Sequence, residues 1–285
     1  MDAYFYKYQA LGNDMVVIDP ATCAIDLTPT AVRLVCDRHR GVGADGICYG
    51  PLPDQPHRHT MRFFNPDGSE AEKSGNGLRI FARYLWDAGY VNGRTFSVVV
   101  NNEHIAVQVV DETAATIVLS MGHLTFDSRT VPVAGPRRDV VAERMVFAGK
   151  AYEVTAVSIG NPHCVIFTAE PDAAHRLGPV IETAPAFPKR TNVQFAQVID
   201  GRTIQIEIWE RGAGYTLASG TSACAAAGAA VKTGRCQSPV EVRMAGGVVQ
   251  VAIDEAWHVT LTGAVTAVYQ GAFAADFLEQ LNPFC

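Results

Sequence analysis

The chain has little positive charge: 23 Lys and Arg stand against 29 Asp and Glu, a net charge of −6. Nowhere do basic residues cluster densely enough to follow a phosphate backbone, which excludes a nucleic-acid partner. There is no long hydrophobic run either, since the small apolar stretch Ala223 to Val231 is far short of the ~20 residues a membrane span needs. The start, Met1-Asp2-Ala3-Tyr4, lacks the basic and apolar regions of a signal peptide, so the chain is expected in the cytoplasm, with no membrane partner. CxxC spacing is missing too. The seven cysteines are odd in number and scattered, which argues against disulfides and a structural zinc site. His57 and His59 are the only close histidine pair, and two ligands in a Pro-rich loop make a poor metal site. What remains is 285 residues, 48% of them hydrophobic, enough for two ordinary domains.

The two domains read as copies of each other. Tyr4 to Ala10 alternates as a half-buried strand, Leu11-Gly12-Asn13-Asp14 turns it, and Met15 to Ile18 returns. Thr28-Pro29 starts a helix expected to reach Arg38. Strands at 47–49 and 60–65 lead to Ser74-Gly75-Asn76-Gly77 and a helical run from Leu78 to Asp87, closed by Gly89. In the second half, Gly160-Asn161 follows Gly12-Asn13 by 148 positions, Ser219 follows Ser74 by 145, and Gly234 follows Gly89 by 145. There a short helix (Pro171 to Leu177) and strands at 194–199 and 203–209 precede Ser219-Gly220-Thr221-Ser222 and the run Ala223 to Lys232. The expected fold is α/β, more strictly α+β, with two domains related by a pseudo-twofold, each a curved mixed sheet wrapped around its Ser-Gly helix. Their expected spans are 1–121 and 122–263, joined through Gly122 to Asp139, with 264–285 crossing back onto the first as a strand. The charge-free, alanine-rich Ala223 to Val231 suits an enclosed helix; Arg79 and Arg83 predict less complete enclosure for its partner.

In both copies a hydroxyl sits just before a helix whose first N–H groups are free to hold an anion. Two such ends facing each other would trap a carboxylate between opposed side chains. Opposed groups suit removal of a proton from one face of a carbon and its return to the other. Taken singly, Ser74 and Ser219 read as ordinary helix N-caps, and Asn13 and Asn161 as turn residues; duplication is what lifts them. Cys224, inside the second helix, reads as inert packing.

The motifs Leu11-Gly12-Asn13-Asp14, Phe64 to Glu70 (FNPDGSE), Gly75-Asn76-Gly77-Leu78-Arg79, Gly160-Asn161-Pro162-His163 and Glu210-Arg211-Gly212-Ala213-Gly214 occur in the order found in the diaminopimelate epimerase family, which the chain resembles over nearly its whole length. The resemblance implies two α/β domains enclosing a small amino acid, a two-base proton transfer at its α-carbon, and no pyridoxal phosphate, metal or other cofactor. It also implies that Asn13, Asn65, Asn161, Asn192 and Arg211 hold the distal end of the substrate. Gly75, Asn76, Gly220 and Thr221 would bind the α-carboxylate through backbone, with His163 and Glu210 around the reacting centre. Family members often pair as homodimers.

The departure falls on the chemistry. Family members that epimerise diaminopimelate place a cysteine where this chain has Ser74 and Ser219. A thiol titrates near about 8.5, lower at a helix N-terminus, while a serine hydroxyl is far less acidic and needs a neighbour to take its proton. Tyr215, where a glutamate is common, and Ser222 accompany the change. One reading is a divergent epimerase or racemase helped by His163 and Glu210. Another is a proton-shift isomerase of a non-amino-acid carboxylate, for which Glu72 and Lys73 are further candidate bases. A third is a Cys→Ser variant, natural or engineered, that only binds its ligand.

Overall fold

A computed structural model describes residues 3–53, 59–70, 74–170 and 173–281. The chain divides into two units, Met1–Leu119 with Gly263–Cys285, and Ser120–Thr262. The first carries β1 (Tyr4–Ala10), β2 (Asn13–Ile18), α1 (Pro29–Cys36), β3 (Ile47–Tyr49), β4 (His59–Thr60), β5 (Arg62–Phe64), α2 (Gly75–Asp87), β6 (Thr95–Val100), β7 (Glu103–Val109) and the start of β8 (Thr116–His123). The second carries β9 (Glu143–Phe147), β10 (Lys150–Ser158), β11 (Pro162–Phe167), α3 (Ala174–Glu182), β12 (Asn192–Asp200), β13 (Thr203–Glu210), β14 (Gly214–Thr216), α4 (Gly220–Lys232), β15 (Val240–Met244), β16 (Gly247–Ile253) and most of β17 (His258–Ala264). The chain then returns to the first unit with β18 (Thr266–Ala272) and α5 (Ala275–Leu281).

Strand pairing repeats in the two units. In the first, β1 and β2 are antiparallel, β2 and β3 parallel, β3 and β5 antiparallel. In the second, β10 and β11, β11 and β12, and β12 and β13 follow the same pattern. The paired turns have a common cause, because Gly12 (φ 80°) and Gly160 (φ 103°) take left-handed conformations that glycine adopts at no steric cost. β18 pairs antiparallel with β1 and sets the sheet order β18-β1-β2-β3-β5.

The helices follow their start signals. Thr28 caps α1, its hydroxyl accepting from the Ala31 N–H at 3.2 Å. The helix stops at Cys36, short of Arg38, because extended Asp37 turns its carboxylate onto the N–H groups of His39 and Arg40 at 2.8 and 2.9 Å. α3 runs further than the sequence predicts, passing Pro179, with Ala174, Leu177, Gly178 and Ile181 buried on one face. Tertiary packing there overrides the proline; Pro171, the expected start, lies outside the described residues. No element is predicted from the sequence at β9, β10, β14, β15, β16, β17 or α5.

α4 buries Gly220 and Ser222 through Ala230, and packs on β10, β11, β12, β13, β15 and β16. A Cβ at Gly228 would lie 2.4 Å from Leu124 Cδ1, so the enclosure leaves no room for a larger residue there. α2 corrects the expectation for its partner. Arg79 is fully buried, donating to Asn76 Oδ1 at 2.6 Å and to the Gly75 carbonyl at 3.3 Å. Arg83 is half-buried and pairs with Asp87 one turn on at 2.9 Å. No helix among the described residues is long and apolar enough to cross a membrane.

Candidate active site

In the first unit, Ser74 precedes α2 in extended conformation and its Oγ accepts from the Gly77 N–H at 3.1 Å. That bond satisfies one of the orphan donors at the start of the helix. Buried Gly77 permits the approach, since a Cβ there would press on Phe63 and Met15 at 3.2–3.3 Å. Asn13 and Asn65 sit in turns of their own. Asn13 Nδ2 donates to Asp45 at 3.4 Å, and Asn65 Nδ2 to the Ser69 hydroxyl at 3.0 Å.

The Asn13 turn is braced by charge. Buried Lys7 pairs with Asp14 at 2.5 Å and donates to the Gly43 carbonyl, while Arg38 bridges Asp14 and Asp45 at 2.6 and 2.8 Å. Burial pushes the Asp14 carboxyl up, but bonds from Arg38 and Lys7 outweigh it and hold the group well below the usual carboxylate range. Asp45 is pushed the other way, by burial and by Asp14 beside it. Glu72 and Lys73 lie outside the described residues.

The second unit gathers more of the expected residues. Ser219 caps α4 in the manner of Ser74, accepting from the Ser222 N–H at 3.4 Å, and its hydroxyl also lies 3.4 Å from that of Thr221. Glu210, half-buried at the end of β13, has its carboxyl raised by burial, an effect that a hydrogen bond with Ser219 partly offsets. His163, fully buried on β11, lies 2.9 Å from Asn161 Oδ1 through Nε2 and 3.1 Å from Gln194 Nε2 through Nδ1. Burial lowers its pKa to about 3, so the ring is neutral near pH 7.

Asn192 and Arg211 are brought together, though through backbone. Asn192 Oδ1 accepts from the Arg211 N–H and Nδ2 donates to the Pro162 carbonyl, both at 2.9 Å. Both ends of that amide are thus engaged within the protein, and its visible work is to fix the Arg211 turn. The Arg211 guanidinium is exposed and donates to the Lys189 carbonyl at 3.3 Å.

Three supporting residues escaped the sequence reading. Glu182, nearly buried on α3, accepts from Trp209 Nε1 at 2.8 Å and from the Gly212 N–H at 3.0 Å, and pairs with Arg190 at 3.3 Å. It therefore ties both sides of the Glu210-Arg211 turn to one helix. Gln194 joins His163 to Ser222, whose hydroxyl lies 3.0 Å from Gln194 Nε2. Asp45 anchors the Asn13 turn. The readable signals were Gln194, the one polar residue in the buried run Val193 to Ala196 of β12, and Glu182, an acid on the buried face of a helix. Tyr215 also has partners: its hydroxyl meets Glu207 at 2.5 Å and its ring stacks on His175 at 4.0 Å.

Known structures and sequences place the chain in two steps. Solved structures share its fold: a hydroxyproline epimerase from Agrobacterium vitis with bound trans-4-hydroxy-L-proline has a TM-score of 0.69 at 13% identity, covering 96% of this chain and 92% of that one. A phenazine biosynthesis protein from Bacillus anthracis has a TM-score of 0.66 at 14% identity, covering 96% and 99%. These likenesses show a shared fold. The family profile described as Diaminopimelate epimerase matches residues 5–126 and 155–268. Diaminopimelate epimerase 2 of Nostoc sp. is 47% identical over 274 residues, 95% of this chain and 96% of that protein. Diaminopimelate epimerase of Moorella thermoacetica is 40% identical over 282 residues, 96% and 100%. The chain belongs to the diaminopimelate epimerase family.

Proposed function

We propose that this protein is an amino acid epimerase or racemase that works without a cofactor, moving a proton at the α-carbon of a carboxylate-bearing substrate. Diaminopimelate, or an amino acid close to it, is the substrate class, which would set the enzyme in lysine biosynthesis or a branch beside it. The observation that carries the reading is the repeated N-cap. At equivalent places in two units of the same strand pairing, a serine caps the start of a helix, and one of these serines has a carboxylic acid beside it. The helix ends would hold the α-carboxylate by charge and hydrogen bonding.

In this reading Ser219, with Glu210 beside it, is one proton-transfer group and Ser74 is the other. A serine hydroxyl alone is too weak an acid and its alkoxide too costly to form near pH 7. Glu210, raised by burial, supplies the missing acceptor: its carboxylate takes the proton that leaves the α-carbon through the Ser219 hydroxyl, while the Ser74 hydroxyl passes a proton to that carbon as it takes one from solvent, so neither serine is left as an alkoxide, and Glu210 then releases its proton to solvent. Asn13, Asn65, Asn161 and Arg211 complete the ligand contacts in this reading, and the active form is a homodimer in the cytoplasm.

Incubation with single stereoisomers of diaminopimelate and common amino acids in deuterated water, read by proton NMR, tests the proposal. Loss of the α-proton signal with appearance of the second stereoisomer is the expected result. Tight binding across the panel with no exchange refutes it and favours a ligand-holding protein, while label on a carboxylate without an amino group points to a proton-shift isomerase.

A further inference from the structure

The buried polar chain beneath α4 has an internal logic that the proposed reaction does not use. Gln194 is fully buried and its Nε2 reaches both His163 Nδ1 at 3.1 Å and the Ser222 hydroxyl at 3.0 Å, while its Oε1 has no hydrogen-bond partner among the described residues. Turning the amide over would give Oε1 both neighbours but strand two buried N–H donors in place of one acceptor. Orphaned donors are the rarer and costlier outcome, so the amide keeps its N–H groups on His163 and Ser222. His163 Nδ1 must then be an acceptor and carries no proton. In a neutral imidazole the proton is therefore on Nε2, which donates to Asn161 Oδ1 at 2.9 Å.

We infer that Gln194 and Ser222 are positioning residues that lock His163 as its Nε2–H tautomer, and that His163 works as a fixed donor holding the Asn161 amide rather than as an acid or base of the reaction. Both ring nitrogens are engaged within the protein, which leaves neither for a substrate proton. Arg211, the charged group acting on the ring, further disfavours an imidazolium. With its carbonyl oxygen committed to His163, Asn161 offers a ligand its NH2 group. Ser222 gains a purpose in this scheme: its N–H closes the Ser219 cap while its hydroxyl steadies Gln194, so the cap and the histidine are set by one residue. The inference rests on the epimerase reading only for the claim about the reaction; the tautomer is a property of the ligand-free protein.

The test is 15N NMR of histidine-labelled full-length protein without ligand, with the His163 ring assigned by the signal lost in His163→Gln. The expected spectrum shows unprotonated Nδ1 and protonated Nε2, unchanged from pH 8 to pH 5. Gln194→Glu, which presents an acceptor to Nδ1, should move the proton to Nδ1 and raise KM more than it lowers kcat, through the released Asn161 amide. Ser222→Ala should give a mixture of the two tautomers and covers the case in which the buried glutamate prevents folding. A wild-type ring protonated at Nδ1, or one that titrates between pH 8 and pH 5, overturns the inference, as does a Nε2–H ring that both variants leave unchanged. Absence of α-proton exchange alongside the expected spectrum would count against the epimerase reading alone.

Discussion

Gly178→Ala sets two known effects against each other. In the interior of an exposed helix the change gains about 1 kcal/mol, because alanine loses less backbone freedom than glycine. Gly178 instead faces Trp209: a Cβ would stand 2.5–2.7 Å from three atoms of that side chain, closer than carbon atoms can approach. Trp209 has little freedom to yield, since its Nε1–H is held by nearly buried Glu182 at 2.8 Å. Overpacking of this kind costs about 1–3 kcal/mol, and loss of a hydrogen bond to a charged acceptor about 1.5–3 more if the ring swings away. The net expectation is a destabilisation of up to about 2 kcal/mol if Trp209 keeps its bond and about 1.5–5 kcal/mol if the ring swings away, which for a protein of this size lowers the melting temperature by roughly 2–4 °C per kcal/mol. Circular dichroism melting, with tryptophan fluorescence followed in parallel, reads both the shift and the displaced ring. Because Glu210 follows Trp209 directly, α-proton exchange should fall as well. A melting temperature equal to or above that of the parent would refute the reasoning, showing that the Trp209 contact can relax freely.

Glu210→Gln should retain ligand binding and reduce exchange by about 10²-fold or more, the typical contribution of a positioned general base, measured by label incorporation. In the parent, activity should rise with pH through a midpoint above the ordinary glutamate value, since burial raises Glu210 and only its carboxylate can accept a proton; the variant should lack that limb. The double change Ser74→Cys with Ser219→Cys should raise exchange of diaminopimelate by orders of magnitude near pH 8, where a thiol ionises and a hydroxyl does not; an unchanged rate would move attention to the Tyr215 turn. Asp14, depressed by Arg38 and Lys7, contributes stability that is complete above the ordinary carboxylate value of about 4 and is lost as pH falls through its lower folded value. Asp14→Asn should therefore be less stable at pH 7 and show a shallower acid dependence below pH 4 in urea titrations.

The sequence was most legible where local chemistry alone decides the structure. Thr28-Pro29 and both Ser-Gly turns specify helix starts through their own side chains, and the alanines of α4 announce an enclosed helix by size. It was least legible where a distant partner decides. Arg79 reads as a surface residue until the Asn76 and Gly75 oxygens that accept its hydrogen bonds are seen. α3 extends past Pro179 because Gly178 and Ile181 are covered by strands far along the chain. The candidate serines and asparagines stand out in the sequence through duplication and family motifs. Gln194 and Glu182 leave only the fainter mark of a polar residue among buried neighbours, since their importance lies in what they touch rather than in any spacing of their own.

The pairing of β18 with β1 joins nearly the last described residues of the chain to nearly the first. A chain emerging from the ribosome therefore finishes its contiguous unit, residues 120–262, while the other unit still waits for a strand. Until Thr266–Ala272 arrives, β1 presents an open row of N–H and C=O groups, a template for association with other nascent chains. Premature termination just before Thr266 should thus yield an insoluble product in which the later half nonetheless resists proteolysis.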